Sequence, residues 1–245
     1  MKDIFLVETL KLKNSKILWI AILAPAFIVV QGGMNLIRYY DLFTGKGQNV
    51  WTQLYTQSMI FYVSILYPVL TSIIITLLAR IENLNSYWKY YLSLPVDKGK
   101  IYIVKFIIGC AIMFIDVVAF ILSIIAVGKL IGIEGILPYD IVLIKPLMAY
   151  LASLPIIAII YVLSIRYSQM ALPLGVGICL TLPAMIVANT KYWIIYPWSY
   201  PIMVALGGDM DVFDKGSVPF VISLILLIAV FSYGYVNFRK RDIEG

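Results

Sequence analysis

The chain alternates long apolar runs with short polar connections. Six runs reach the length of about 20 residues that an α-helix needs to cross the hydrocarbon core of a bilayer. Backbone that faces lipid must satisfy its own hydrogen bonds, and a helix does so within one segment, so each run predicts a membrane-spanning helix. The predicted spans cover roughly 17–37, 57–79, 101–127, 141–165, 169–188 and 217–237. The fold class that follows is an all-α, polytopic membrane protein with about six transmembrane helices, in which residues 1–245 form one domain.

A shorter mixed pattern precedes the first span. Apolar residues alternate there with lysines, which predicts an amphipathic helix at the inner membrane interface. A signal peptide is the competing interpretation, but the apolar stretch beyond Ser15 is too long and no small-residue cleavage site follows it. The apolar positions of the helix are Ile4, Phe5, Val7, Leu10 and Leu12.

Basic residues are distributed unevenly between the two sides that these spans create. With the N-terminus inside, the inner segments hold thirteen of the 19 Lys and Arg residues and the outer loops hold six. Inner loops of membrane proteins are enriched in Lys and Arg, so both termini are predicted to be cytoplasmic, in a multi-pass protein of the plasma membrane.

The amino-acid composition limits the kinds of catalytic and metal-binding sites that this chain can form. Charged residues make up 13% of the chain, about half of what a soluble domain carries. No histidine is present, which excludes imidazole-based catalysis and metal ligation, and no metal site is expected. No GxxxxGK[ST] loop occurs, so any ATP hydrolysis requires another chain. Nothing in the pattern predicts a nucleic-acid partner.

The longest basic stretch runs from residue 80 to residue 105, through the connection between the second and third predicted spans and into the start of the third. Aromatic and apolar residues recur there at helical spacing and predict a short amphipathic helix. Leu94 ends this helix, because Pro95 disfavours helical backbone in the residue before it. Such a helix either lies on lipid or docks into a cytoplasmic partner; clustered aromatics favour docking, and lipid anchoring remains the alternative. The apolar stripe consists of Tyr87, Trp88, Tyr91 and Leu92.

This stretch resembles the loop between the second and third spans of type-2 ABC exporter permeases. The resemblance is carried by Glu82, Trp88, the sequence Leu92-Ser-Leu-Pro95-Val, Lys98 and Lys105. The opening from Glu8 to Ser15, the following run with Pro25, and the sequence Tyr196-Pro-Trp-Ser-Tyr-Pro201 are similar to the branch that protects cells against lantibiotics and related peptide antibiotics.

The resemblance implies a non-catalytic permease subunit of an ATP-driven exporter that expels amphipathic, lantibiotic-type peptides from the membrane. Its partners would be two ATP-binding subunits, which carry ATP and Mg, a second and paralogous permease, membrane lipids and the peptide. The loop at about 80–100 would carry the coupling helix that docks into an ATP-binding subunit. The coupling residues would be Glu82, Tyr87, Trp88, Tyr91, Leu92, Leu94 and Pro95.

Three further features are candidates for a substrate path. Asp116 is an acid well inside a predicted span, where a carboxyl group is costly and by default functional, although packing the bundle as a hydrogen-bonded acid is an equal alternative. The fifth predicted span contains helix-breaking residues, which favours a mobile helix over simple tolerance. These residues are Pro173, Gly175, Gly177 and Pro183.

Aromatic residues crowd the segment after that span, within an outer loop at about 189–216. Residue by residue, an anchor at the lipid headgroups is the plain interpretation. The resemblance adds an outer gate, in which short re-entrant helices cap the exit path. The predicted gate residues are Tyr196, Pro197, Trp198 and Pro201.

Three other functions remain open. A type-2 ABC exporter of another hydrophobic substrate, a lipid-linked molecule or a drug, would share the whole pattern. A membrane-embedded enzyme acting on lipids would need convergent acids or histidines, and the closest acids, Asp209, Asp211 and Asp214, lie in an outer loop. A sensor or assembly protein without transport activity is the third possibility.

Overall fold

The computed structural model describes residues 2–12, 15–45, 47–83, 97–207, 213 and 215–240. Within these ranges all regular structure is helical, which confirms the all-α prediction. In chain order the helices are α1 (Lys2–Leu12), α2 (Ile17–Arg38), α3 (Tyr40–Thr44), α4 (Val50–Phe61), α5 (Tyr67–Asn83), α6 (Lys98–Ile131), α7 (Lys145–Arg166), α8 (Ala171–Thr181), α9 (Ala184–Ala188), α10 (Tyr200–Leu206) and α11 (Val218–Arg239). Two π-helical turns, Tyr62–Leu66 and Asp140–Ile144, precede α5 and α7, and 3₁₀ turns cover Lys191–Ile195 and Pro197–Ser199.

Among the described residues, five segments are long and apolar enough to cross a membrane. They are Ile17–Arg38, Val50–Arg80, Lys98–Ile131, Asp140–Arg166 and Val218–Arg239. The polytopic architecture is therefore confirmed, with five uninterrupted spans in place of about six.

Local chemistry explains where the longest spans begin and end. The Asn49 side chain accepts a hydrogen bond from the Trp51 amide at 2.9 Å and caps α4. The Asp97 side chain caps α6 through the Gly99 amide at 2.8 Å. Gly132 ends α6 with a φ of 80°, a left-handed conformation that glycine adopts without steric cost.

The bundle is built around α7, which packs against α5, α6, α10 and α11, while α2 lies along α6. Large apolar side chains such as Trp19, Phe27 and Leu122 are exposed on its outside. In a bilayer this surface faces acyl chains, so apolar exposure has no hydrophobic cost there. The last residues of α5, α7 and α11 and the first residues of α6 lie at the same end of the bundle. We call this end the basic end.

The second span begins at Val50, whereas the sequence predicts a start at about 57. The extra turns carry Thr and Gln residues that interrupt the apolar run. They are nonetheless helical, because neighbouring helices bind them: the Asn35 side-chain amide donates to Gln57 Oε1 at 2.7 Å. Trp51 and Leu54 on the same turns are buried against the protein.

The predicted fifth span, 169–188, is not a continuous helix. It consists of α8 and α9, separated at Leu182 and Pro183. Proline at this position removes a backbone donor and clashes with the preceding turn, which favours a break here, although Pro25 and Pro155 are accommodated inside α2 and α7. The 11 residues of α8 are too few to cross the hydrocarbon core by themselves.

Candidate functional site

A buried ion pair ties the N-terminal helix to the bundle. Lys105 Nζ lies 2.6 Å from Glu8 Oε2, and both side chains are almost wholly buried, at 1% and 2% exposure. Lys11 Nζ lies 2.7 Å from Glu8 Oε1 on the same helix. Glu8 and Leu12 of α1 therefore point inward, while Leu6 and Leu10 point outward. The helix predicted to lie at the membrane interface thus exposes apolar side chains on the outside of the bundle and turns Glu8 toward α6.

The lysines stabilise the ionised form of Glu8. Burial alone would raise the pKa of this carboxyl group, but attraction to Lys105 and hydrogen bonds from Lys105 and Lys11 outweigh it, and the pKa lies below its ordinary value. Lys105 is one of the cations of the basic stretch at 80–105, which overlaps the start of the predicted third span. Lys105 lies inside α6, two turns past the helix start, where Glu8 partners its charge.

Asp116 lies at the centre of a second polar cluster, deep in α6. Its side chain is completely buried, at 0% exposure. The Tyr62 hydroxyl donates to Asp116 Oδ2 at 2.6 Å, and Oδ1 has no hydrogen-bond partner among the described residues. The Tyr62 ring stacks on Phe120 with a centroid distance of 4.0 Å.

This cluster reaches the central helix through a second tyrosine. The Tyr67 ring packs edge-on against Tyr62, and its hydroxyl lies 2.6 Å from Ser153 Oγ on α7. Tyr62 begins the π-helical turn Tyr62–Leu66, and such turns in α-helices frequently mark functional positions. Three of the spans therefore meet at one buried polar layer around Asp116.

The helix α8 is held against α5 by a close approach at Gly177. A methyl group at this position would overlap the Ser72 hydroxyl, so a glycine is required at the contact. Gly175, two residues earlier, has no atom near its own Cβ direction. Pro173 is buried in the first turns of α8, and Pro183 is half-buried at the break.

The aromatic segment that follows is folded into the protein. Trp198 and Tyr200 are buried, at 2% and 1% exposure, while Tyr192 is exposed. The Tyr200 hydroxyl donates to Ile194 O at 2.6 Å, and the Tyr196 hydroxyl donates to Leu180 O on α8 at 2.5 Å. A headgroup anchor would leave its ring at the surface; Tyr192 has this exposure, whereas Trp198 and Tyr200 are enclosed by the protein.

The segment is linked to both the central helix and the polar layer. α10, which begins at Tyr200 and contains Pro201, packs against α7 and against the π turn that carries Tyr62. The Tyr55 hydroxyl on α4 donates to Ala205 O at 3.0 Å. Pro197 opens the short 3₁₀ turn beside Trp198. A movement of this segment would therefore reach the surroundings of Asp116 through direct packing.

A groove opens at the end of the bundle opposite the basic end. It has a volume of about 820 Å³ and lies between the ends of α2 and α6 and the start of α4. Its walls are mainly apolar, including Met34, Ile37 and Leu130, with one acid, Glu134, at the rim. This combination suits an amphipathic molecule with a positive charge.

The family model for ABC-2 family transporter proteins matches residues 4–188. The chain belongs to this family. No curated protein and no solved structure matches it significantly. The match covers α1 through α9 and includes both the Glu8–Lys105 pair and the Asp116 layer.

As an ABC-2 permease, the protein is a transmembrane subunit of an ABC exporter and a multi-pass protein of the plasma membrane. Membership in the family implies association with ATP-binding subunits.

The residues predicted to couple this permease to an ATP-binding subunit lie outside the described residues. These coupling residues are Tyr87, Trp88, Tyr91, Leu92, Leu94 and Pro95. The outer-loop acids Asp209, Asp211 and Asp214 also lie outside the described residues. Glu82 falls in the last turn of α5, but its side chain is not among those described. The described helices place both flanks of the loop, Asn83 and Asp97, at the basic end.

Sequence reasoning did not find the partners of the buried charges in this permease. Tyr62 reads as one aromatic among 18 tyrosines, and only its tertiary contact with Asp116 distinguishes it. Glu8 has one usable signal, an acid three residues before Lys11 in a basic apolar helix. That spacing favours an ion pair within the helix, and it carries no information about Lys105.

Proposed function

We propose that this permease expels amphipathic, lantibiotic-type peptides from the membrane to the outside, together with ATP-binding subunits and a second, paralogous permease. The observation that carries the proposal is the burial of Trp198 and Tyr200 in a segment packed on the central helix. An internal, broken, aromatic segment is suited to closing an exit path, whereas a surface anchor is not.

Substrate recognition in this proposal uses the groove at the end opposite the basic end. Lantibiotic-type peptides are amphipathic, and an apolar groove with Glu134 at its rim offers both burial and one attractive charge. Asp116 is closed off from solvent in this conformation. In this proposal Asp116 therefore responds to movement of the aromatic segment through its hydrogen bond with Tyr62. It would contact a transported peptide only if the bundle opens.

Energy input in this proposal comes through the loop between α5 and α6. The helix that carries Trp88 would sit in a groove of an ATP-binding subunit, which supplies ATP and Mg. Truncating a buried aromatic anchor in an interface costs about 2 kcal/mol or more, which is more than about tenfold in affinity. We expect Trp88→Ala to lower the amount of ATP-binding subunit recovered per permease by that factor. If the amount of ATP-binding subunit recovered with Trp88→Ala equals that of the wild type, the docking role is wrong and the alternative, a helix that lies on the lipid surface, is favoured.

The gate is tested by a matched pair of substitutions in one segment. Trp198→Phe alters a buried ring, and Tyr192→Phe alters an exposed one. Each variant is expressed with the ATP-binding subunits in a lantibiotic-sensitive strain, and the growth-inhibiting peptide concentration is measured at equal amounts of assembled complex. We expect Trp198→Phe to lower resistance several-fold and Tyr192→Phe to leave it unchanged.

The same assay separates the substrate classes. If the wild-type complex gives no resistance to any lantibiotic tested but hydrolyses ATP faster with an apolar drug or a lipid-linked substrate, the peptide assignment is wrong and the exporter assignment stands. Equal resistance in Trp198→Phe and wild type would remove the gate while leaving the peptide assignment intact.

A further inference from the structure

A small pocket lies between three helices at the basic end and has no role in the transport proposal. Its volume is about 260 Å³, and it is formed by the start of α6 and the last turns of α7 and α11. Its polar side chains are Tyr102, Arg166, Tyr233 and Asn237. Its apolar walls include Val162, Ile165 and Phe238.

The guanidinium of Arg166 retains hydrogen-bonding capacity at this pocket. Within the described part of the chain, its one hydrogen bond runs from Nη1 to the Tyr233 hydroxyl at 3.3 Å. A guanidinium carries five N–H donors, and its planar geometry matches the oxygens of a phosphate. The Asn237 side chain, exposed beside it, makes no hydrogen bond to another described residue.

The apolar wall is formed by an unusually close approach of helices. A methyl group on Gly234 would overlap the Tyr102 hydroxyl and the Val162 side chain, so α11 lies directly against α6 and α7 at this level. The polar and apolar sides of the pocket therefore face each other across the last turn of two membrane-crossing helices. This is the depth at which lipid headgroups meet acyl chains.

We propose that this pocket binds the headgroup phosphate of an anionic phospholipid. Arg166 contacts the phosphate through its remaining donors, Asn237 and Tyr233 contact the headgroup, and the first acyl carbons lie on Val162 and Phe238. Basic pockets between transmembrane helices near one membrane face have the charge and shape for such lipids. The location within the last helical turns favours a lipid over an acidic protein segment, because lipid surrounds these turns on their outer side.

A single arginine near a helix C-terminus is also favourable with the helix dipole alone. That explanation requires neither the converging Tyr233 and Asn237 nor a cavity between the helices. The two explanations differ in what they predict for lipid binding, and the chain supplies a matched control. Arg38 likewise ends a long apolar helix and lies 5.4 Å from the ring of the next residue, Tyr39, as Arg166 lies 5.8 Å from Tyr167.

The test uses the full chain, extracted with its bound subunits in a nonionic detergent. Thermal stability is measured during separate titrations with phosphatidylglycerol, phosphatidylcholine, inorganic phosphate and a poly-glutamate peptide, and retained lipid is counted by native mass spectrometry. We expect phosphatidylglycerol to stabilise the wild type and to be retained, and phosphatidylcholine, whose trimethylammonium offsets the charge of its phosphate beside Arg166, to do both more weakly. Arg166→Gln should weaken the response to phosphatidylglycerol about tenfold, since charge-assisted hydrogen bonds to phosphate are lost. Arg38→Gln should respond as the wild type does.

Each other outcome contradicts the proposal. An equal response of Arg166→Gln and wild type to phosphatidylglycerol leaves only the helix-dipole explanation. Full stabilisation by inorganic phosphate alone assigns the pocket to a free anion, and stronger stabilisation by a poly-glutamate peptide assigns it to a protein partner. If Arg166→Gln does not accumulate, Asn237→Leu replaces it: this variant keeps the arginine and should still weaken lipid retention, and unchanged retention refutes the headgroup contact.

Discussion

The Glu8–Lys105 pair gives the sharpest test of how this permease holds its N-terminal helix. The substitution Glu8→Ala removes the carboxylate that lies 2.6 Å from the buried Lys105 ammonium and 2.7 Å from Lys11. Nothing in the apolar outer face of α1 changes. The perturbation is therefore confined to the inward, polar face of the helix.

The structure sets the size of the effect. Removing one partner of a buried ion pair costs about 3–5 kcal/mol, because the remaining charge has been withdrawn from water. Removing one partner of an exposed pair costs about 1 kcal/mol or less. Lys105 is 1% exposed and Lys11 is 24% exposed, so the two lysines fall into these different classes. We expect Glu8→Ala and Lys105→Met to destabilise strongly and Lys11→Met to destabilise little.

The assay is a double-mutant cycle on the detergent-extracted protein. For a domain of this size, 1 kcal/mol corresponds to roughly 2–4 °C in Tm, so a loss of about 3 kcal/mol lowers Tm by about 6–12 °C. The double variant Glu8→Ala/Lys105→Met removes both charges and should be more stable than the sum of the single effects predicts. Hydrogen exchange of the α1 amides shows whether the helix detaches before the bundle unfolds.

Two results would refute this reasoning. Additive single effects in the cycle would show that Glu8 and Lys105 do not interact energetically. A loss in Lys11→Met as large as that in Lys105→Met would show that burial does not set the cost.

Three further predictions concern the pH dependence, the Asp116 layer and the α8 contact. Folding lowers the pKa of Glu8, so the contribution of Glu8 to folding stability is fully present above the unfolded pKa of about 4.3 and is lost as pH falls through the lower folded pKa. The Tm of the wild type should therefore drop more than the Tm of Glu8→Gln as pH falls from about 5 to about 3. Tyr62→Phe, which removes the hydrogen bond to buried Asp116, should destabilise by about 1–3 kcal/mol, and an unchanged Tm would exclude a stabilising bond. Gly177→Ala should lower the stability of the fold by about 1–3 kcal/mol or displace α8, because the added methyl group meets Ser72. Gly175→Ala meets no neighbouring atom and should leave stability unchanged or raise it slightly. Equal effects of the two substitutions would contradict the close contact between Gly177 and Ser72.

The orientation of the bundle is tested with introduced cysteines. A cysteine at Gly135 should react with an impermeant reagent added to intact cells, and one at Lys98 should react only after the membrane is opened. Labelling of position 98 from outside would reverse the predicted cytoplasmic location of the basic end, which rests on the excess of Lys and Arg there.

Much of the architecture follows from the chain without any tertiary contact. A run of about 20 apolar residues can satisfy its backbone in lipid only as a helix, so four of the predicted spans have the right extent to within a few residues. Pro183 weakens the predicted fifth span in the same way, because it cannot donate a helical hydrogen bond, although Pro25 and Pro155 lie inside continuous helices and show that a proline permits a break without requiring one. These are local properties of covalent structure and hydropathy.

The partners of buried polar groups were decided by tertiary structure alone. Asp116 is visibly anomalous in the sequence, but nothing at residue 62 marks Tyr62 as its donor across 54 positions. Lys105 belongs to a basic stretch of the sequence, but its partner Glu8 is 97 positions away and reaches it only because α1 folds back against α6. Trp198 reads as an interfacial anchor until α10 packs on α7. Hydropathy reports the transfer of one residue between water and lipid, whereas the cost of burying a charge or an indole depends on which distant group reaches it, and only the packed bundle determines that.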